Sequence, residues 1–153
     1  MTNILNTLIK NNLTISFVES MTGGLLSYEL VRLYNASKVY KEGFVLYSNE
    51  AKSKYLNIDL NYIENNGVVS REVAGLMAQN LKEITGADIT VSITGYSSGH
   101  EPNKAFIGVM IHNLLYVEDI EFYPEDKREQ NIKLTVKKAI KMLKEILKNH
   151  VAI

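Results

Sequence analysis

A hydroxyl, a phenol and an amine stand in two short polar clusters: Ser20 in Glu19-Ser20-Met21-Thr22-Gly23-Gly24, and Tyr47 and Lys52 in Tyr47-Ser48-Asn49-Glu50-Ala51-Lys52. Serine is a weak nucleophile until something takes its proton, and the bases on offer are Lys52, Tyr47 or Glu19. Lysine serves as a base only when burial or a like charge brings its pKa toward neutrality. A Ser20–Lys52 pair, with Tyr47 relaying or positioning the proton, is a coherent amidohydrolase engine. Two more polar clusters, Gly67-Val68-Val69-Ser70 and Thr94-Gly95 with the loop after it, complete the set. Free N–H groups at the start of the helix after Ser20 are expected to hold an oxyanion, and those after Thr94 a phosphate. Read alone, Ser20 or Thr22 is equally a helix cap, Lys52 a solvated helix lysine and Tyr47 a strand aromatic.

These side chains need elements to bring them together. Ile4, Leu5, Leu8 and Ile9 predict a helix over residues 2–11, Leu13 to Val18 a first strand, and Leu25 to about Tyr34 a second helix. Tyr40 to Tyr47 reads as strand two and Glu50 to Leu56 as a short helix, while the Asn-rich residues 57–66 read as a loop. Ser70 opens a helix with Val73, Leu76, Met77, Leu81 and Ile84 inward, ended by Gly86. Asp88 to Ile93 is strand three, with Thr94-Gly95 at its end. Ala105 to Ile111 and Leu115 to Phe122 form a hairpin about His112-Asn113-Leu114. Pro124 and Asp126 lead into a last helix, Lys127 to Lys148, whose inward face is Ile132, Val136, Ala139, Ile140, Leu143, Ile146 and Leu147. This order predicts an α/β protein, a three-layer α/β/α sandwich on a mixed, mostly parallel sheet of about five strands. With strands one to three parallel, Ser20, Tyr47, Lys52 and Thr94 share one edge of the sheet.

The 153 residues fit one domain, and hydrophobic and charged contents of 46% and 22% are those of a globular chain. Seventeen basic residues balance seventeen acidic ones, against nucleic acid or a membrane surface as a partner. The absence of cysteine removes disulfides, thiolate metal sites and a cysteine nucleophile. His100, His112 and His150 have no metal-ligand spacing, and no long apolar run or leader is present, so a cytoplasmic protein without a metal is expected.

Val18-Glu19-Ser20-Met21-Thr22-Gly23-Gly24, Tyr47-Ser48-Asn49-Glu50-Ala51-Lys52, Gly67-Val68-Val69-Ser70 and Ile93-Thr94-Gly95 resemble, in order and separation, the signatures of the CinA carboxy-terminal domain family, the nicotinamide-nucleotide amidases. The resemblance covers nearly the whole chain, and the amino-terminal domain often fused ahead of this one is not expected here. It implies hydrolysis of the carboxamide of nicotinamide mononucleotide, giving nicotinic acid mononucleotide and ammonia, with no cofactor and no metal. It implies Ser20 as nucleophile, activated by Lys52 and Tyr47. Glu19, Thr22, Gly23, Gly24, Asn49, Thr94, Gly95 and Arg128 would line the substrate site, Arg128 meeting the phosphate. A homo-oligomer is also expected, through apolar surface on the last helix or the hairpin edge. Three positions depart from the family pattern: Met21 replaces a cysteine beside Ser20, Tyr96-Ser97-Ser98-Gly99-His100 replaces an Ile-Ala-Gly-Pro path, and Ile132 replaces a second arginine. The alternatives they raise are a nucleotide-binding protein without catalysis, and an amidase for which Tyr96 and His100 meet a different base or sugar.

Overall fold

The computed structural model describes residues 1–96, 98–99, 103–123 and 127–151. Its sheet has strands β1 (Ile15–Glu19), β2 (Tyr40–Val45), β3 (Ile89–Gly95), β4 (Lys104–Ile111) and β5 (Leu114–Glu121) in the order β2-β1-β3-β4-β5. β2, β1 and β3 are mutually parallel, and β4 is antiparallel to both β3 and β5, so β4 alone of the five runs backwards. The expected mixed, mostly parallel sheet is what forms.

Alternation along the strands divides the core into two layers. Ile15 and Phe17 of β1, with Ile89, Val91 and Ile93 of β3, pack against α1 (Thr2–Lys10), α2 (Leu25–Val31) and α6 (Arg128–His150). Val18 turns the other way, toward α3 (Asn49–Leu56), α4 (Leu60–Asn66) and α5 (Arg71–Thr85). The intervening β3 residues are polar yet wholly covered. Thr90 and Ser92 donate to the carbonyls of Ala78 and Ala74 at 2.6 Å, and Thr94 donates to that of Val68 at 2.8 Å. This hydroxyl ladder satisfies buried side chains on two α5 carbonyls and on that of Val68 in the turn ahead of α5. Small residues allow the approach: a Cβ on Gly108 would stand 2.7 Å from the Ala74 carbonyl oxygen.

Residues 60–66 correct the loop reading of 57–66, because they form α4. Asp59 caps it by accepting from Asn61 N–H at 2.7 Å, and Ile63 buries itself in the second core layer. A single buried apolar residue on a seven-residue helix leaves no periodicity to read. Ile84, expected inward, is 40% exposed near the end of α5, and Ile132 and Ile140 are only partly buried where α6 also buries Thr135 and Met142. Strand two stops at Val45, short of the expected Tyr47. The anticipated helix opening at Pro124 and Asp126 lies outside the described residues.

Leu134 on α6 and Leu114 and Leu115 at the hairpin are exposed, as are Tyr28 and Val31 on α2 and Tyr34 in the turn beyond it. Among the described residues no helix is long and apolar enough to cross a membrane.

Candidate active site

β1 ends at Glu19, whose side chain is fully buried. Its carboxylate accepts from Thr22 Oγ1 (2.7 Å) and Leu26 N–H (2.9 Å) on one oxygen, and from Ser27 N–H (2.9 Å) and Ser27 Oγ (2.7 Å) on the other. Ser27 Oγ also meets Tyr40 Oη at 3.0 Å, and burial pushes the Tyr40 phenol pKa up. Glu19 is therefore the acceptor for the first turn of α2, a role expected of Ser20 or Thr22; the residue at the cap position is Gly24, in the left-handed region at φ 95°. Two expectations fall with this. The N–H groups of Leu26 and Ser27 are spent on Glu19 and cannot hold an oxyanion, and Glu19 is a scaffold carboxylate, not a base or a substrate contact.

Thr22 is likewise buried with its hydroxyl on Glu19, and neither it nor Gly23 and Gly24 line the cleft described below. Met21 sits in the core between the sheet and α1, α2 and α6, away from the cleft, so the departure from cysteine is absorbed by packing. Replacing Glu19 with Gln turns an amide N–H₂ toward N–H and O–H donors and should cost roughly 3 kcal/mol, lowering the melting temperature by roughly 5–10 °C. An unchanged thermal unfolding curve would contradict this account of the turn.

Lys52 comes from the other side of the sheet. Ser48 Oγ accepts from Ala51 N–H at 3.1 Å and fixes the start of α3. From that start, Lys52 and Leu56 share the inward face, four residues apart, and Lys52 is only 1% exposed. Its Nζ lies 3.2 Å from Ser20 Oγ and 3.4 Å from the Tyr47 carbonyl oxygen. Burial lowers the ammonium pKa to about 8, while the nearby Glu50 charge works the other way. A serine hydroxyl thus meets an amine that is neutral in a useful fraction of molecules near physiological pH.

Tyr47 does not join this pair through its hydroxyl. It is 67% exposed, and its Oη accepts from Arg128 Nη2 at 2.9 Å, while Arg128 Nη1 donates to Ser98 Oγ at 3.0 Å. The relay expected of Tyr47 is replaced here by a main-chain contact to Lys52 and a side-chain hold on Arg128.

Ser20, Tyr47, Asn49, Thr94, Gly95 and Arg128 border one cleft of about 360 Å³, a size suited to a small molecule. It opens beyond the carboxyl ends of β1 and β3, where the chain leaves β1 for one edge of the sheet and β3 for the other. Thr94 is buried with its hydroxyl on Val68, and Tyr96 N–H is taken by the Lys104 carbonyl at 2.9 Å, so that amide is not free for a phosphate. Gly95 is required by the ladder, since a Cβ there would stand 2.5 Å from that of Ala105. Ser48, Glu50, Val68 and Ser98 also line the cleft, and only their place beside the recognised clusters hinted at it. His100 lies outside the described residues. A second cleft, about 330 Å³ between α1 and α6, is bordered by Ile4, Thr7, Leu147, Lys10, Lys144 and Lys148, all distant in sequence from the recognised clusters.

The sequence profile of the family described as CinA C-terminal domain matches residues 1–147. A competence-damage inducible protein of Listeria innocua is 34% identical over 145 residues, covering 92% of this chain and 35% of that one. One from Clostridium botulinum is 36% identical over 151 residues, covering 95% and 36% respectively. The chain thus spans about a third of the length of the curated relatives it matches. Among solved structures, a competence-damaged protein (CinA) superfamily protein of Escherichia coli superposes with a TM-score of 0.85 at 29% identity, over 94% of this chain and 90% of that one. With the profile spanning nearly all of its length and the fold shared, the chain belongs to the CinA C-terminal domain family.

Proposed function

We propose that the protein is an amidase acting on nicotinamide mononucleotide, with Ser20 as nucleophile and Lys52 as its base. The observation that carries this reading is the 3.2 Å approach of a buried lysine, its pKa lowered to about 8, to a serine at the mouth of a cleft. In the first half-reaction Ser20 Oγ attacks the carboxamide carbon and its proton passes to Lys52 Nζ. The tetrahedral adduct collapses, the C–N bond breaks, and the departing nitrogen takes the proton from Lys52 and leaves as ammonia. In the second half, Lys52 takes a proton from water, whose oxygen attacks the acyl-serine ester. Ser20 recovers its proton, and the carboxylic acid is released.

Arg128, held by Tyr47 and Ser98, is the group for the substrate phosphate, and Asn49 and Gly95 border the space between. Tyr47 serves by fixing Arg128 and offering its carbonyl to Lys52. The proposal extends to a cytoplasmic homo-oligomer, for which the exposed apolar residues of α2, α6 and the hairpin offer surface.

Purified protein incubated with nicotinamide mononucleotide should release ammonia and nicotinic acid mononucleotide in equal amounts. A chelator should leave the rate unchanged, because no step of this scheme uses a metal. Folded protein that releases nothing at millimolar substrate would remove the amidase reading.

A further inference from the structure

One charged side chain in the cleft has no part in the scheme above. Glu50 lines the same cleft as Ser20 and Arg128, from the first turn of α3. Among the described residues its carboxylate makes no hydrogen bond or ion pair. Its one electrostatic effect on the machinery is adverse, since its charge favours the protonated form of Lys52 and so opposes the lysine's use as a base. Glu50 is exposed, and a negative charge in the first turn of α3 favours the helix dipole. The dipole accounts for the sign of the charge but not for its place in one cleft with Arg128.

The surroundings supply one. Tyr47 and Tyr96 border the same space, and an aromatic side chain together with a carboxylate suits a flat cation. Arg128 supplies the opposite sign, anchored through both terminal nitrogens. The cleft is therefore bordered by one carboxylate and one anchored guanidinium, the pattern for a zwitterion whose ring is cationic and whose far end is anionic.

We propose that Glu50, with the ring of Tyr47, forms a subsite for the positively charged ring of an N-alkylated pyridinium nucleotide, so that the protein selects the oxidised ring over its neutral dihydropyridine counterpart. This rests on the reading of the cleft as a nucleotide amidase site. Charge complementarity at a partly solvated position is worth about fivefold to tenfold in affinity.

The test is calorimetric titration of Ser20→Ala, which leaves substrate intact, with nicotinamide mononucleotide and with its 1,4-dihydro form at one pH. The oxidised form should bind about fivefold to tenfold more tightly. Adding Glu50→Gln should remove that preference by weakening the oxidised form alone, and Glu50→Lys should invert it. A Glu50 that serves only the α3 dipole would alter both ligands equally. Equal losses for the two forms, or none, overturn the subsite even where the unmodified protein is an active amidase. A preference that depends on Glu50, in a protein that releases no ammonia, sustains the subsite and removes the amidase reading. Failure of Ser20→Ala to bind either form at millimolar concentration overturns the subsite, while the amidase reading stands or falls on ammonia release by the unmodified protein.

Discussion

Ser20→Ala is expected to reduce ammonia release from nicotinamide mononucleotide by at least about 10⁴-fold, because among the described residues Ser20 is the one hydroxyl bonded to the amine that would activate it. The substitution deletes one oxygen from a side chain 5% exposed, and Lys52 Nζ keeps its contact with the Tyr47 carbonyl. Stability should therefore change by no more than about 1 kcal/mol. Steady-state rates and a thermal melt on the same preparation separate loss of chemistry from loss of fold. Turnover within tenfold of the unmodified protein would show that the nucleophile lies elsewhere.

Lys52→Met makes the sharper prediction, because activity and stability should move in opposite directions. Loss of the base should lower kcat by about 10²–10⁴-fold. The fold, however, now bears a buried amine whose pKa stands at about 8, against 10.5 for an unburied lysine. Below pH 8 both folded and unfolded chains carry the proton, and the folded state bears the full desolvation penalty. Between about 8 and 10.5 the unfolded chain binds more protons, so stability rises with pH and the penalty fades. A methionine fills similar space without charge and should stabilise the protein by about 1–3 kcal/mol at pH 7, with the gain shrinking as pH passes 10. Urea unfolding at the two pH values measures it. A variant less stable than the unmodified protein at pH 7 would mean that the contacts of Nζ outweigh its desolvation. In the unmodified protein, kcat/KM should climb with pH and level off above about 8, as Lys52 loses its proton.

Both predictions depend on a pairing that the amino-acid sequence only partly foretells. Apolar periodicity, glycines and polar strand ends determined the order of elements and the three layers, because each is a local property of a few neighbouring residues. They also put Ser20 and Thr94 at the same end of parallel strands. Residues with weak local pattern escaped: α4 has one buried side chain, Ile63, and its start depends on the Asp59 cap.

Side-chain roles were decided by contacts between distant segments. Glu19 reads as a base or a ligand until α2 folds back and turns two N–H groups and two hydroxyls onto it. Tyr47 reads as a partner of Lys52, yet its hydroxyl meets Arg128, 81 residues away. A helix lysine is ordinarily solvated, and Lys52 is not, because the Ser48 cap and the burial of Leu56 set the rotation of α3 and carry its amine inward. The sequence by itself determined the fold class and which polar clusters reach one edge of the sheet. The depressed pKa of Lys52, the capture of Glu19 and the anchoring of Arg128 by Tyr47 came from tertiary structure alone, since burial and through-space contacts are properties of neighbours that the chain order does not name.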